Sequence, residues 1–485
     1  MEGNFRNLFR KFCLEGSFIG LKYFYIYPDF VSRCFWMVNT VLTLGLSWTL
    51  VYLLYNRFND RPTRITIENQ YEMMKNMPYP SITICSPNQI TISSMKHFNK
   101  TLVDGDITFD LERVLPQLLG FYVPLQVWDA PGLEQLQKVI NLNRYTVPEV
   151  INLMPQRCDR FLKLCILQRK SYPHCRGLFR PILTTNGHCC IFNNIYYFEN
   201  KRRNEKDFNF LNWKVKSFGP MEPLTVVTDY EPDDALDGTI VNAGSIRIMI
   251  NDMYEFPADE ETKLVHPYTE SFHIIHVSYT YCSEDVRALP SSSRNCFFND
   301  EQHLPFFGDY RNSDCDQLCY VKAVEAACDC MLYYVPYVKA QRACNFTSIS
   351  CIVKAKLHIF KWLTSENCDC PRDCDSRRYT TDMTVGNLDA LPYVMTNSFT
   401  DLKLNKSSSI MHFYFPNPVY VKQKQETVMS LISITSNLGG VFGLCLGCSS
   451  ISILEILFYI YKTIKNSISR KSKQLQLERE VFYYN

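Results

Sequence analysis

The stretch Cys34–Tyr55, CFWMVNTVLTLGLSWTLVYLLY, carries no charged residue. As an α-helix rising about 1.5 Å per residue it reaches roughly 33 Å, enough to cross a hydrocarbon core of about 30 Å. A buried core helix is the competing reading, but uncharged apolar runs of this length are rare in soluble proteins. Residues 1–33 before it are largely polar and aromatic. That is not the pattern of a cleaved signal peptide, so an uncleaved anchor is expected. A second apolar run, Val428–Tyr461, stays uncharged until Glu455 and is longer than one crossing needs.

Between the runs lie all but four of the 21 cysteines, the exceptions being Cys13, Cys34, Cys445 and Cys448. A segment this rich in cysteine suits an oxidising compartment. The three N-x-S/T sequons, at Asn99, Asn345 and Asn405, fall in the same segment and place it outside the cell. Lys462, Lys465, Arg470, Lys471 and Lys473 follow the second run, a basic flank expected on the cytosolic side. Arg57, Arg61 and Arg64 beyond the first run make that flank less decisive. Two spans put both termini on one side, here the cytosol. The 485-residue chain has room for several domains, and its net charge of +2 gives no reason to expect nucleic acid or a strongly acidic partner.

From Ser436 the second run reads SNLGGVFGLCLGCSSISILEILFYIYK. A plain anchor would be uniformly apolar. Gly439, Gly440, Gly443 and Gly447 allow close backbone approach, and Ser449, Ser450 and Ser452 add polar groups. Such small residues could simply form a helix–helix interface. Glu455 favours a pore, because a carboxylate at membrane depth is costly unless it meets water or a partner. One such helix cannot enclose a hole, so several copies must assemble.

Strand patterns occur at Tyr79–Ile84, Gly244–Ile250, Phe272–Thr280 and Ile410–Val421, with Ile246, Ile248 and Ile250 on one face. The first and last flank the two spans and are expected to share a sheet near the membrane. Residues 100–240 mix short helical patterns with loops. Cys315 and Cys319, four apart on a helix, have an axial offset of about 6 Å. Cys368 and Cys370, two apart in an extended C-D-C, have one of about 6.6 Å. The match lets helix and strand be joined by two parallel disulfide rungs. Zinc is the competing reading, disfavoured outside the cell without His at ligand spacing. The ladder could serve stiffness or plain stabilisation.

Several segments together carry a resemblance. They are Met77–Cys85 (MPYPSITIC), Gly187–Asn193 (GHCCIFN), Arg294-Asn295-Cys296 through Glu301 and Leu304, the ordered cysteines from 315 to 374, and Gly447-Cys448-Ser449 with Glu455 eight residues on. From Gly20 to Tyr459 the chain resembles the degenerin/epithelial sodium channel family, and within it the insect pickpocket-type subunits. The likeness is loosest over 90–155 and 195–240.

That resemblance implies an α+β membrane protein with two transmembrane helices and a large disulfide-rich extracellular domain, built of a palm-like sheet with helical thumb and finger regions. The expected divisions are a cytosolic tail (1–33), a first span (34–55), the extracellular domain (56–427), a pore-lining second span (428–461) and a cytosolic tail (462–485). It implies the pairs Cys85–Cys189, Cys165–Cys175, Cys296–Cys374, Cys315–Cys370, Cys319–Cys368, Cys328–Cys351 and Cys330–Cys344, leaving Cys158, Cys190 and Cys282 over. It implies an amiloride-sensitive sodium channel at the plasma membrane, a homotrimer or a heterotrimer with related subunits, with sodium as permeant ion and no cofactor. Gly447, Cys448 and Ser449 would form the selectivity filter, and Glu455 would attract cations on its cytosolic side. Gly443 would belong to the pore and Ser436 to the gate. Asn437 would sit at the outer mouth, and Gly20 would match the N-terminal gating motif.

Three positions depart from the family pattern. Its His-Gly pair stands here as Ile19-Gly20, Phe458 replaces an inner acidic residue of the acid-sensing relatives, and the C-terminal tail has no P-P-x-Y. A two-span adhesion or receptor protein would explain the cysteines and sequons but not Glu455. An ATP-gated trimeric channel would need clustered Lys and Arg in the ectodomain at that family's motifs, which the sequence does not show. G-x-S-x-G, H-E-x-x-H and P-loop motifs are absent, so an enzyme is not expected.

Overall fold

The structure is a computed structural model describing residues 10–16, 19–27, 29–60, 62–102, 110–123, 129–197, 201–202, 213–257, 262–335, 342–363, 368–394, 399 and 401–483. It divides into two compact units. One comprises residues 1–64, 283–294 and 426–485; the other comprises 65–282 and 295–425.

In the first unit the apolar run lies within one helix, Phe30–Asp60. Its polar side chains are satisfied locally. Thr40 Oγ1 donates to Trp36 O at 2.8 Å, Thr49 Oγ1 to Leu46 O at 2.8 Å, and Asn39 Nδ2 to Phe35 O at 2.9 Å. This back-bonding lets hydroxyl and amide groups sit on a helix with no water beside it. The surface matches: Leu42, Trp48 and Leu53 are largely exposed on this chain, and Ser47 is the buried position among the helix's described residues. The preceding helix Ile19–Ile26 packs back on it, with Tyr23 stacked on Trp36 at 4.3 Å between ring centroids.

The second apolar run forms two helices, Leu431–Leu446 and Ser450–Tyr483, bent by 76° across the break. Of the described helices, Phe30–Asp60 alone is long and apolar enough to cross a membrane by itself; the second run passes that test only as a bent pair.

The second unit is built on two sheets. An eight-stranded sheet runs in the order Thr63–Met73, Val419–Thr427, Thr269–Cys282, Ser408–Tyr414, Leu224–Asp229, Leu162–Leu167, Lys170–Pro173, with Ser376–Asn387 paired beside Thr269–Cys282. A five-stranded antiparallel sheet runs Thr262–Val265, Ile246–Asn251, Ser81–Cys85, Gly187–Phe192, Phe179–Thr184. Its central strands are buried along their whole length. The reason is a layer on each face. Ile82, Ile84, Ile248 and Phe192 pack with Val226, Met411 and Phe413 of the larger sheet. Cys85, Cys189, Ile191 and Met249 pack with a helical layer. Strands covered on both faces read as continuous apolar runs.

The sheet expected from Tyr79–Ile84 and Ile410–Val421 does not form. Ser81–Cys85 sits in the smaller sheet, and Thr63–Met73 takes the place beside Val419–Thr427. Ile410–Val421 is itself two strands, because Pro416 and Pro418 lack the backbone donors a ladder needs.

The helical layer includes Ala130–Leu142, Val147–Leu153, Asn312–Cys328 and Ile349–Leu363. Asp129 caps the first, its Oδ1 accepting from Gly132 N–H at 3.1 Å; Thr146 and Glu149 form a capping box on the second. Eight disulfides tie this unit. Seven join the pairs implied by the resemblance, with Cys315–Cys370 and Cys319–Cys368 as the two rungs; the eighth is Cys158–Cys190. Cys282 lies outside these bonds, its Sγ 3.3 Å from Cys374 O. Asn99, Asn345 and Asn405 are all exposed.

Candidate functional site: the break in the second apolar run

Ser430 starts the outer helix, its hydroxyl accepting from Ser433 N–H at 3.2 Å. Ser436 and Asn437 follow one to two turns in, both exposed on this chain. The helix stops because Gly447 adopts a left-handed backbone, φ 65°, a conformation that costs other residues about 1–2 kcal/mol. Gly447 N–H still reaches Gly443 O at 3.0 Å, and Cys448 N–H reaches Phe442 O at 3.2 Å. The chain then turns sharply. A Cβ on Gly443 would lie 3.6 Å from Cys448 O, so that carbonyl rests against the glycine.

Restarting the helix is also written locally. Ser449 stands at the N-cap position, and its N–H is accepted at 3.0 Å by Oγ of Ser452, three residues on and buried. This is the reach-back half of a capping box, with serine in place of the usual Glu or Gln. Gly-Cys-Ser-Ser-Ile-Ser therefore encodes a stop and a start, leaving residues 447–449 outside either helix. Past Gly443, whose carbonyl Gly447 N–H still meets, the last carbonyls of the outer helix lose their intrahelical partners.

The inner helix carries Glu455 and meets residues 10–16. Tyr459 OH donates to Glu15 Oε2 at 2.8 Å, and the Phe12 ring stands edge-on to Tyr459 at 5.2 Å. A Cβ on Gly16 would lie 3.7 Å from Glu455 Oε2. Two carboxylates, Glu15 and Glu455, thus lie where residues 10–16 meet the inner helix. Sequence reasoning missed Glu15 and Gly16; nothing in their local pattern marks them, since the contact joins residues more than 400 apart. Gly20 lies in Ile19–Ile26, the helix packed on Phe30–Asp60. It is Gly16 that is placed beside Glu455.

The described residues thus hold one helix long and apolar enough to cross a membrane, a disulfide-tied α+β domain after it, and a glycine-broken apolar run last. The chain belongs to the amiloride-sensitive sodium channel family, whose family model matches residues 12–459. That family is one of channels and not of enzymes. The chain is 26% identical to the sodium channel protein Nach of Drosophila melanogaster, over 98% of this chain and 90% of that one. It is 23% identical to pickpocket protein 28 of the same organism, over 94% and 80%. It is 21% identical to human acid-sensing ion channel 2, over 94% and 86%.

Proposed function

We propose that this chain is a pore-forming subunit of a trimeric, sodium-selective, amiloride-sensitive channel of the plasma membrane, with both termini cytosolic. The bent pair Leu431–Leu446 and Ser450–Tyr483 is the second span. Gly447, Cys448 and Ser449 form the selectivity filter, one copy from each of three subunits. The observation that carries this reading is the break itself. Backbone without its helical partners is tolerated at membrane depth only where it faces water or is buried in protein. Three such segments around an axis offer carbonyl and hydroxyl oxygens that replace the hydration shell of a small cation. Glu455 and Glu15 supply negative charge on the cytosolic side, Ser436 keeps the closed outer helices in contact, and Asn437 lines the mouth where a blocker seats.

The test is ion substitution under voltage clamp in cells expressing the chain, alone and with related subunits. Gly447→Ala or Ser449→Ala is expected to shift the reversal potential toward potassium. Unchanged reversal potentials in both variants would remove the filter assignment.

A further inference from the structure

The second unit holds a cavity of about 430 Å³ that none of the roles above uses. This lies within the range of about 300–1,000 Å³ typical of small-molecule sites. Its apolar wall is Leu153, Leu162, Phe179 and Pro181. His188, on the strand Gly187–Phe192, lines the cavity and is only 5% exposed. Its backbone N–H bonds Gln89 Oε1 at 3.1 Å, but among the described residues its ring has no hydrogen-bond partner. Burial, and then the charge of Arg157, push its pKa down to about 4. The ring is therefore neutral at physiological pH and presents one donor and one acceptor nitrogen. The ring opens on the cavity, so an occupant can pair it.

Charge sets the sign of the occupant. Arg157 is engaged by Asp159, Nη2 to Oδ2 at 3.3 Å, and His174 Nδ1 by the backbone O of Asp159 at 2.8 Å. Arg176 lines the same cavity with no acidic partner among the described residues. Two guanidinium groups thus face one carboxylate, leaving an excess positive charge. The cavity is also fastened. Cys158 lines one side, and its disulfide partner Cys190 lies two residues from His188 on the other, so the two walls are held at fixed spacing. A pre-formed site loses less on binding than one that must be ordered.

We propose that this cavity binds a small organic acid with an apolar body, its carboxylate held by Arg176 and His188 and its body against Phe179, Leu162 and Pro181. The inference goes beyond the channel reading and does not rest on it. It is tested by binding to the full-length protein in nanodiscs, followed by saturation-transfer NMR, with benzoate as probe and benzylamine and benzyl alcohol as comparators. Benzoate is expected to bind saturably and ahead of both comparators. Arg176→Glu, at an exposed residue with no structural partner, is expected to weaken it about tenfold or more, and His188→Asn to weaken it with a melting temperature kept near that of the parent. Benzylamine binding as tightly as benzoate, or benzoate affinity indifferent to Arg176→Glu, would overturn the proposal. Because no current is measured, failure here leaves the channel reading standing, and a non-conducting chain leaves this one testable.

Discussion

The two units of this chain solve opposite problems. The larger buries its apolar residues in its own interior, between two sheets and a helical layer, and fastens them with eight disulfides. The smaller leaves Leu42, Trp48, Leu444 and Leu454 uncovered. Apolar side chains covered by nothing in the chain itself are covered by something outside it, and under the proposed function that is lipid or sister subunits. The difference teaches where mutations will register. In the larger unit they act on folding; in the smaller, under the proposed function, they act on assembly and conduction.

The largest contrast comes from truncating one apolar residue in each. Phe346 is fully buried, so Phe346→Ala should cost about 3–5 kcal/mol, seen as lower melting temperature and lost surface protein. Leu444 is 85% exposed, and Leu444→Ala should change unfolding by less than about 0.5 kcal/mol. Equal losses from the two would erase the distinction between the units.

Next in size is Ser436→Val, on the outer helix. A shift of about 1.4 kcal/mol toward the open state raises the standing current of a mostly closed channel about tenfold. A sodium current without stimulus is the expected readout; its absence with surface protein present would break the gate assignment.

The smallest effect belongs to Glu255. Part of the residue reaches the surface, yet its carboxyl is closely surrounded, and burial first, then Asp252, Asp314 and Asp373, hold its pKa well above the usual carboxylate value, with Arg311 opposing. The fold therefore favours the protonated acid. Its stabilising contribution is complete below the unfolded value near 4.5 and is lost as pH rises through the folded value. Glu255→Gln, which keeps the neutral form, should raise the melting temperature at neutral pH, with the gain vanishing toward acid. A lower melting temperature at neutral pH would reverse the sign of this argument.

Much of this was legible in the sequence, and the failures have physical causes. Cys34–Tyr55 declared itself because a bilayer demands a long uncharged run. The two rungs were legible from the cysteine spacing, Cys315 and Cys319 lying one turn apart on a helix, although Cys368 and Cys370 sit outside any strand. Thr63–Met73 was overlooked although Thr63, Ile65 and Ile67 alternate, because the charged residues of TRITIENQYEM mask a strand with much of its surface exposed. Cys158–Cys190 could not be assigned, since spacing alone does not fix which of three remaining cysteines meet. Within the site, Gly447 and Ser449 stood out in the sequence as small and polar residues and by the resemblance, while the helix stop and restart they encode came from the structure. Glu15 and Gly16 were not, because their partners are set by tertiary packing.

The central claim is that residues 443–455 line water. It is tested most directly by replacing them one at a time with cysteine, after Cys445 and Cys448 are changed to serine, and applying small charged thiol reagents during recording. The account predicts that positions flanking Gly447–Ser449 react and that reaction reduces sodium current. Should every position from 443 to 455 stay unreactive in open and closed conditions alike, the segment faces lipid or protein, and a pore through this run is contradicted.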